Sequence, residues 1–111
     1  MLNYQLDRTF AALADPARRA IVDRLALGPA TVSELARPLP MSLPAVMLHL
    51  KMLEESGLVK SEKVGRVRTC RIEALALSQA EHWIAERRQM WERNLDRLGA
   101  FLNQTKPEHE K

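Results

Sequence analysis

The chain has 111 residues, 46% of them apolar, with 17 Lys and Arg against 14 Asp and Glu, for a formal net charge of +3. That length suits one domain, and a domain this small buries a modest share of its surface, so a second copy is expected to add burial. The longest uncharged run, Pro38 to Leu50, is broken by prolines, Ser42 and His49, which excludes a bilayer span; early charges at Asp7, Arg8, Asp15, Arg18 and Arg19 argue against a secretory leader, and the lone Cys70 excludes an intrachain disulfide or thiolate cage.

Tyr4 to Leu13 sets Leu6, Phe10 and Leu13 at helical spacing behind Asn3, a ready cap, and predicts a first helix. Asp15-Pro16 predicts a restart, because Asp caps and Pro fits the first helical position; Ile21, Val22 and Leu25 then form a stripe that Gly28-Pro29 ends. Thr31-Val32-Ser33-Glu34 fits a capping box and opens a short third helix, which Pro38 and Pro40 stop. Ser42 is the expected cap of a fourth helix reaching Ser56, with Val46, Leu50 and Leu53 as its buried stripe and Gly57 at the left-handed position after it.

Leu58 to Val64 and Val67 to Ile72 are β-prone runs joined by Gly65-Arg66, which suits a type II′ hairpin turn. Cys70 and Ile72 share one face of the second run, where Cys70 is expected to pack as a small hydrophobe. A last helix from Ser78 to about Leu102 carries Trp83, Ile84, Met90, Trp91, Leu95, Leu98 and Leu102. From Trp91 onward the spacing is that of a seam between paired helices. Residues 1–102 are thus expected to form the domain, and Asn103 to Lys111 a polar, disordered tail.

Two short helices joined by a tight turn and followed by a basic hairpin form a winged helix-turn-helix, whose second helix enters the major groove. The hairpin carries the charge expected of such a reader: from Lys60 to Ile72 five cations (Lys60, Lys63, Arg66, Arg68, Arg71) stand against one anion, Glu62. The last helix is balanced, with Glu81, Glu86, Glu92 and Asp96 against Arg87, Arg88, Arg93 and Arg97. Cations clustered beside a reading helix are the electrostatic footprint of duplex binding.

Four segments in this order, Phe10-Ala11-Ala12-Leu13-Ala14-Asp15-Pro16, Arg18-Arg19-Ala20-Ile21-Val22, Val32-Ser33-Glu34-Leu35-Ala36 and Leu50-Lys51-Met52-Leu53-Glu54-Glu55-Ser56-Gly57-Leu58-Val59, resemble the ArsR family of bacterial winged-helix repressors over about residues 5 to 102. The Met41-Ser42-Leu43-Pro44-Ala45-Val46 segment and the Trp-rich last helix are similar to the branch of that family without metal sites. The resemblance implies a mainly helical fold (α-α-α-α-β-β-α) and a homodimer built from the first and last helices, with Leu6, Phe10, Trp83, Trp91, Leu95, Leu98 and Leu102 at the interface. It further implies a cytoplasmic, nucleoid-associated regulator binding a palindromic double-stranded DNA operator and repressing its own or an adjacent operon, with a small-molecule effector left open. No cofactor is implied.

The expected DNA contacts are Ser42, Leu43, Pro44, Met47, Leu48, His49 and Lys51 from the fourth helix, and Lys63, Arg66 and Arg68 from the hairpin. Met47 and Leu48 depart from the polar residues usual in relatives. Apolar side chains contact thymine methyl groups rather than hydrogen-bonding base edges, so the expected half-site is T-rich. Two readings compete with this one: a protein-interaction module using this apolar face, and Met47 and Leu48 packing under the wing. An enzyme has little to stand on, because the sequence holds no phosphate loop, paired-acid constellation or cofactor fingerprint. Metal binding is not expected either: Glu34-Leu35-Ala36-Arg37 offers no ligand pair, and His82 has no second His on its helix.

Overall fold

The first four helices each begin at a side chain that accepts hydrogen bonds from the opening turn, and these caps set where the elements fall. The computed structural model describes residues 3–105, arranged as α1 (Tyr4–Leu13), α2 (Pro16–Leu25), β1 (Ala30–Thr31), α3 (Val32–Ala36), α4 (Leu43–Glu55), β2 (Val59–Val64), β3 (Val67–Ile72) and α5 (Ala74–Thr105). Asn3 caps α1, and Asp15 caps α2 by accepting from the backbone N–H groups of Ala17 and Arg18. The backbone N–H of Arg18 is the main reason that the Asp15 carboxyl lies below its ordinary pKa. Thr31 and Glu34 close a reciprocal capping box on α3, and Ser42 caps α4 through the N–H of Ala45.

The hairpin turn is as expected. Gly65 has φ +63° while no non-glycine residue among the described residues has positive φ, the combination that a type II′ turn requires. Two features differ from the sequence reading. The sheet has three strands in the order β1-β3-β2, because Ala30 and Thr31 pair antiparallel with Cys70 and Thr69. Two residues cannot display an alternating pattern, so β1 has no sequence signature. The last helix begins at Ala74, four residues before Ser78, since Ala74-Leu75-Ala76-Leu77 are strong helix formers with no breaker among them. It also continues through Asn103, Gln104 and Thr105, which the composition assigns to a disordered tail. Residues 106–111 of that tail lie outside the described residues.

The chain divides into two units, residues 1–80 and 81–111. The core of the first gathers Ile21 and Leu25 from α2, Leu35 from α3, Val46, Leu50 and Leu53 from α4, and Val59 and Cys70 from the sheet. Cys70 is fully buried there, with its thiol pKa raised by that burial and then by the nearby Glu54. In the second unit the described residues are one helix, along which Ile84, Met90, Trp91, Leu95 and Leu98 are exposed. No helix among the described residues is long and apolar enough to cross a membrane.

Leu53 is fully enclosed, so Leu53→Ala should lower unfolding free energy by about 2–5 kcal/mol. Leu48→Ala, on the exposed side of the same helix, should change it by less than about 0.5 kcal/mol. Urea denaturation followed by circular dichroism measures both, and equal losses would mean that the two faces of α4 are wrongly assigned.

Candidate nucleic-acid interface

Helix α4 turns Val46, Leu50 and Leu53 into the core, which leaves Leu43, Pro44, Met47, Leu48 and Lys51 exposed on its other side. Leu48 is 65% exposed and Met47 38%. Together with the cap Ser42 these form one continuous surface, apolar in the middle and polar at Ser42 and Lys51. Beside it runs a groove of about 530 Å³, with Pro44, Met47, Leu48 and Leu50 on the α4 side and Arg68 on the β3 side.

His49 takes a different direction. It is half-buried, and its Nδ1 lies 3.3 Å from an Nη of Arg18. A guanidinium only donates, so in a hydrogen bond between them Nδ1 is the acceptor. Arg18 also donates from Nε to the Ala12 carbonyl at 2.7 Å, from Nη2 to the Ala11 carbonyl at 3.2 Å and from Nη1 to the Met52 sulfur at 3.3 Å. One side chain thereby joins the C-terminal carbonyls of α1 to the flank of α4.

The opposite flank of α4 is tied to the wing. Glu54 accepts a hydrogen bond from the Ser61 hydroxyl and lies 3.8 Å from Arg68, which itself donates to Ser61 at 3.4 Å. In the hairpin register Lys63 stands opposite Arg68 and Ser61 opposite Cys70. The wing cations therefore differ in availability. Lys60 and Arg71 share Glu73, at 3.2 and 3.9 Å, and the hydrogen bond from Lys60 is the main cause of the lowered Glu73 pKa. Arg68 is held by Glu54, while Lys63 and Arg66 have no carboxylate partner among the described residues.

Of the residues expected to meet DNA, Ser42, Leu43, Pro44, Met47, Leu48 and Lys51 thus share the exposed side of α4, and Lys63 and Arg66 stand exposed at the wing tip. His49 and Arg68 are engaged within the fold. Sequence reasoning did not single out Arg18 or Glu54. Glu54 could have been found as the one acidic residue a helical turn beyond Leu50 beside a basic hairpin, whereas Arg18 carries no local signal. Of the residues expected at a dimer interface, Leu6 and Phe10 are half-buried in α1, and Trp83, Trp91, Leu95, Leu98 and Leu102 are exposed along α5. Among the described residues no cluster of three or more His, Cys, Asp or Glu side chains is placed to hold a metal.

Comparison with known proteins places this geometry among DNA-binding regulators. A family model described as a helix-turn-helix domain matches residues 13–62. The HTH-type transcriptional regulator Rv2034 of Mycobacterium tuberculosis is 50% identical over 72 residues, spanning 65% of this chain and 67% of that protein. The crystal structure of the ArsR family transcriptional regulator RHA00566 superposes with a TM-score of 0.78 at 51% identity, covering 83% of this chain and 95% of that one. The homodimeric winged helix-turn-helix DNA-binding domain of Mb0332 from Mycobacterium bovis, solved by NMR as a possible ArsR-family regulator, has a TM-score of 0.60 at 28% identity, covering 84% of this chain and 83% of that one.

Glu54→Gln keeps an acceptor for Ser61 but frees the charge of Arg68. Duplex binding should tighten at low salt, and the slope of log affinity against log salt should steepen by about 1. Fluorescence anisotropy across a salt series reads this, and an unchanged slope would mean that Arg68 does not reach phosphate even when released.

Proposed function

The chain belongs to the ArsR family of DNA-binding transcriptional regulators, and from that premise we propose that it represses transcription as a homodimer, reading a palindromic operator through α4 and gripping flanking backbone with the wing tip. The observation that carries this reading is the continuous exposed surface of Ser42, Leu43, Pro44, Met47, Leu48 and Lys51 beside Lys63 and Arg66, cations without a carboxylate partner among the described residues. Met47 and Leu48 offer methyl and methylene surface but no hydrogen bonds, so they select thymine methyl groups and a T-rich half-site. Ser42 and Lys51 supply the polar contacts at either end. His49 and Arg68 hold the helix and the wing in place.

The homodimer is supported by α5. Ile84, Trp91 and Leu98 recur every seven residues, and Leu95 and Leu102 interleave with the last two of them, so one side of the helix is an apolar seam. Exposed on one chain, that seam is the kind of surface that a second copy covers. Two heads held in one dimer match a two-fold symmetric operator. Repression follows from occupancy, since a dimer bound across a promoter excludes the polymerase. The cytoplasm is the compartment in which such a regulator meets its DNA.

Anisotropy of the purified protein with DNA from its own upstream region and with a scrambled duplex, each across a salt series, tests the reading. The expected result is tighter binding to the native region, with a log–log slope of about −0.9 per phosphate neutralised. A weak salt response would instead favour a protein partner for the apolar face of α4. Leu48→Lys should alter the preferred sequence rather than abolish binding, and unchanged preference would remove Leu48 from the bases. Trp91→Glu with Leu95→Glu should convert the protein to a monomer in sedimentation analysis, and a persistent dimer would place the interface elsewhere.

A further inference from the structure

The groove between α4 and β3 has the attributes of a ligand site as well as of a DNA-facing surface. Its volume of about 530 Å³ lies within the range of about 300–1,000 Å³ usual for small-molecule pockets. Both walls are fixed before any ligand arrives. Burial of Val46, Leu50 and Leu53 holds α4, pairing with β1 and β2 holds β3, and Glu54 joins α4 to β3 through Arg68 and to β2 through Ser61. The lining is apolar at Pro44, Met47, Leu48 and Leu50, and a methionine wall adapts to varied shapes.

The charges around the groove define what it accepts. Arg68 and Glu54 compensate each other. Lys51, also on the lining, has no carboxylate partner among the described residues, so one positive charge remains uncompensated beside an apolar trough. The complement is an apolar body carrying one anionic group. Resting on the reading that this face of α4 meets DNA, we propose that the α4–β3 groove binds a small apolar organic anion and that the bound anion excludes the operator. Met47, Leu48 and Lys51 serve both occupants, so the two compete for the same atoms. A ligand that binds only the DNA-free protein shifts the equilibrium by its full affinity, without moving a helix.

The test uses 8-anilinonaphthalene-1-sulfonate, which fluoresces in apolar surroundings and carries one sulfonate, beside N-phenyl-1-naphthylamine, which has the same aromatic body without the charge. On the full chain the anionic dye should bind up to about fivefold more tightly than the neutral one, the range of a single exposed ion pair. Lys51→Gln should erase that difference. Leu48→Glu, at an exposed position that leaves the core intact, should remove the site for both dyes, and matching thermal melts establish that this variant is folded. Saturating anionic dye should also displace a fluorescein-labelled duplex from the wild-type protein at low salt. The proposal is overturned by no dye binding, by dye binding that survives Leu48→Glu, by equal affinities for the two dyes, or by dye and duplex bound together. Failure of the duplex to bind without dye sinks the DNA reading and the competition with it. The dye titrations across the variants still decide whether the groove is a ligand site.

Discussion

Helix α4 has to bury Val46, Leu50 and Leu53, and almost everything about the exposed surface follows from that requirement. At about 100° per residue these three lie along one line of the helix. Of the other apolar residues on α4, Met47 and Leu48 are rotated well away from it and cannot be buried at the same time. The segment Leu43–Glu55 holds more apolar side chains than one face can accommodate, so the surplus is displayed. A surface helix made this way would ordinarily be a liability. On α4 that surplus stands exposed beside the basic wing, so the packing of the core sets which side chains the helix presents there.

The same rotation sends the two flanks of α4 to different partners. His49 and Met52 fall on the side where Arg18 fastens the helix to the end of α1. Glu54 falls on the other, where it engages Ser61 and Arg68 of the wing. Partly exposed ion pairs of this kind contribute about 0–1 kcal/mol, far less than the buried stripe. Their effect is positional: they fix the angle at which α4 and the hairpin are presented together, so that Lys51, Lys63 and Arg66 stand in a constant arrangement. A pre-set arrangement of charges and apolar contacts loses less entropy when a ligand or a duplex is engaged.

Most of the fold was legible because its signals are local. Asn3, Asp15, Thr31 with Glu34, and Ser42 each cap within three residues of themselves, and Gly65 needs only its own φ to shape the turn. What escaped the sequence depends on residues far apart in the chain. Ala30–Thr31 is a strand only because Cys70 and Thr69 lie beside it. The exposed side of α4 was legible from helical spacing, but the diversion of His49 toward Arg18, 31 residues away in sequence, was not. The wing shows the same limit. Five cations against one anion overstate the charge it offers, since Glu54 and Glu73, outside the hairpin, engage three of them.

That correction bears on how a chain of this size grips DNA. One protomer presents Lys51, Lys63 and Arg66 without carboxylate partners among the described residues, and each phosphate contact is an electrostatic gain that salt erodes. Such a set supports only weak binding by a single head, and an apolar reading surface adds selectivity for methyl groups more than strength. In the proposed dimer, joining two heads through the α5 seam would make the second engagement intramolecular, at an effective concentration that raises overall affinity by orders of magnitude without any new contact type. The coupling also works against the complex. In the proposed competition, a ligand in one groove would leave the other head to bind alone, so occupancy of one groove would withdraw the advantage of both.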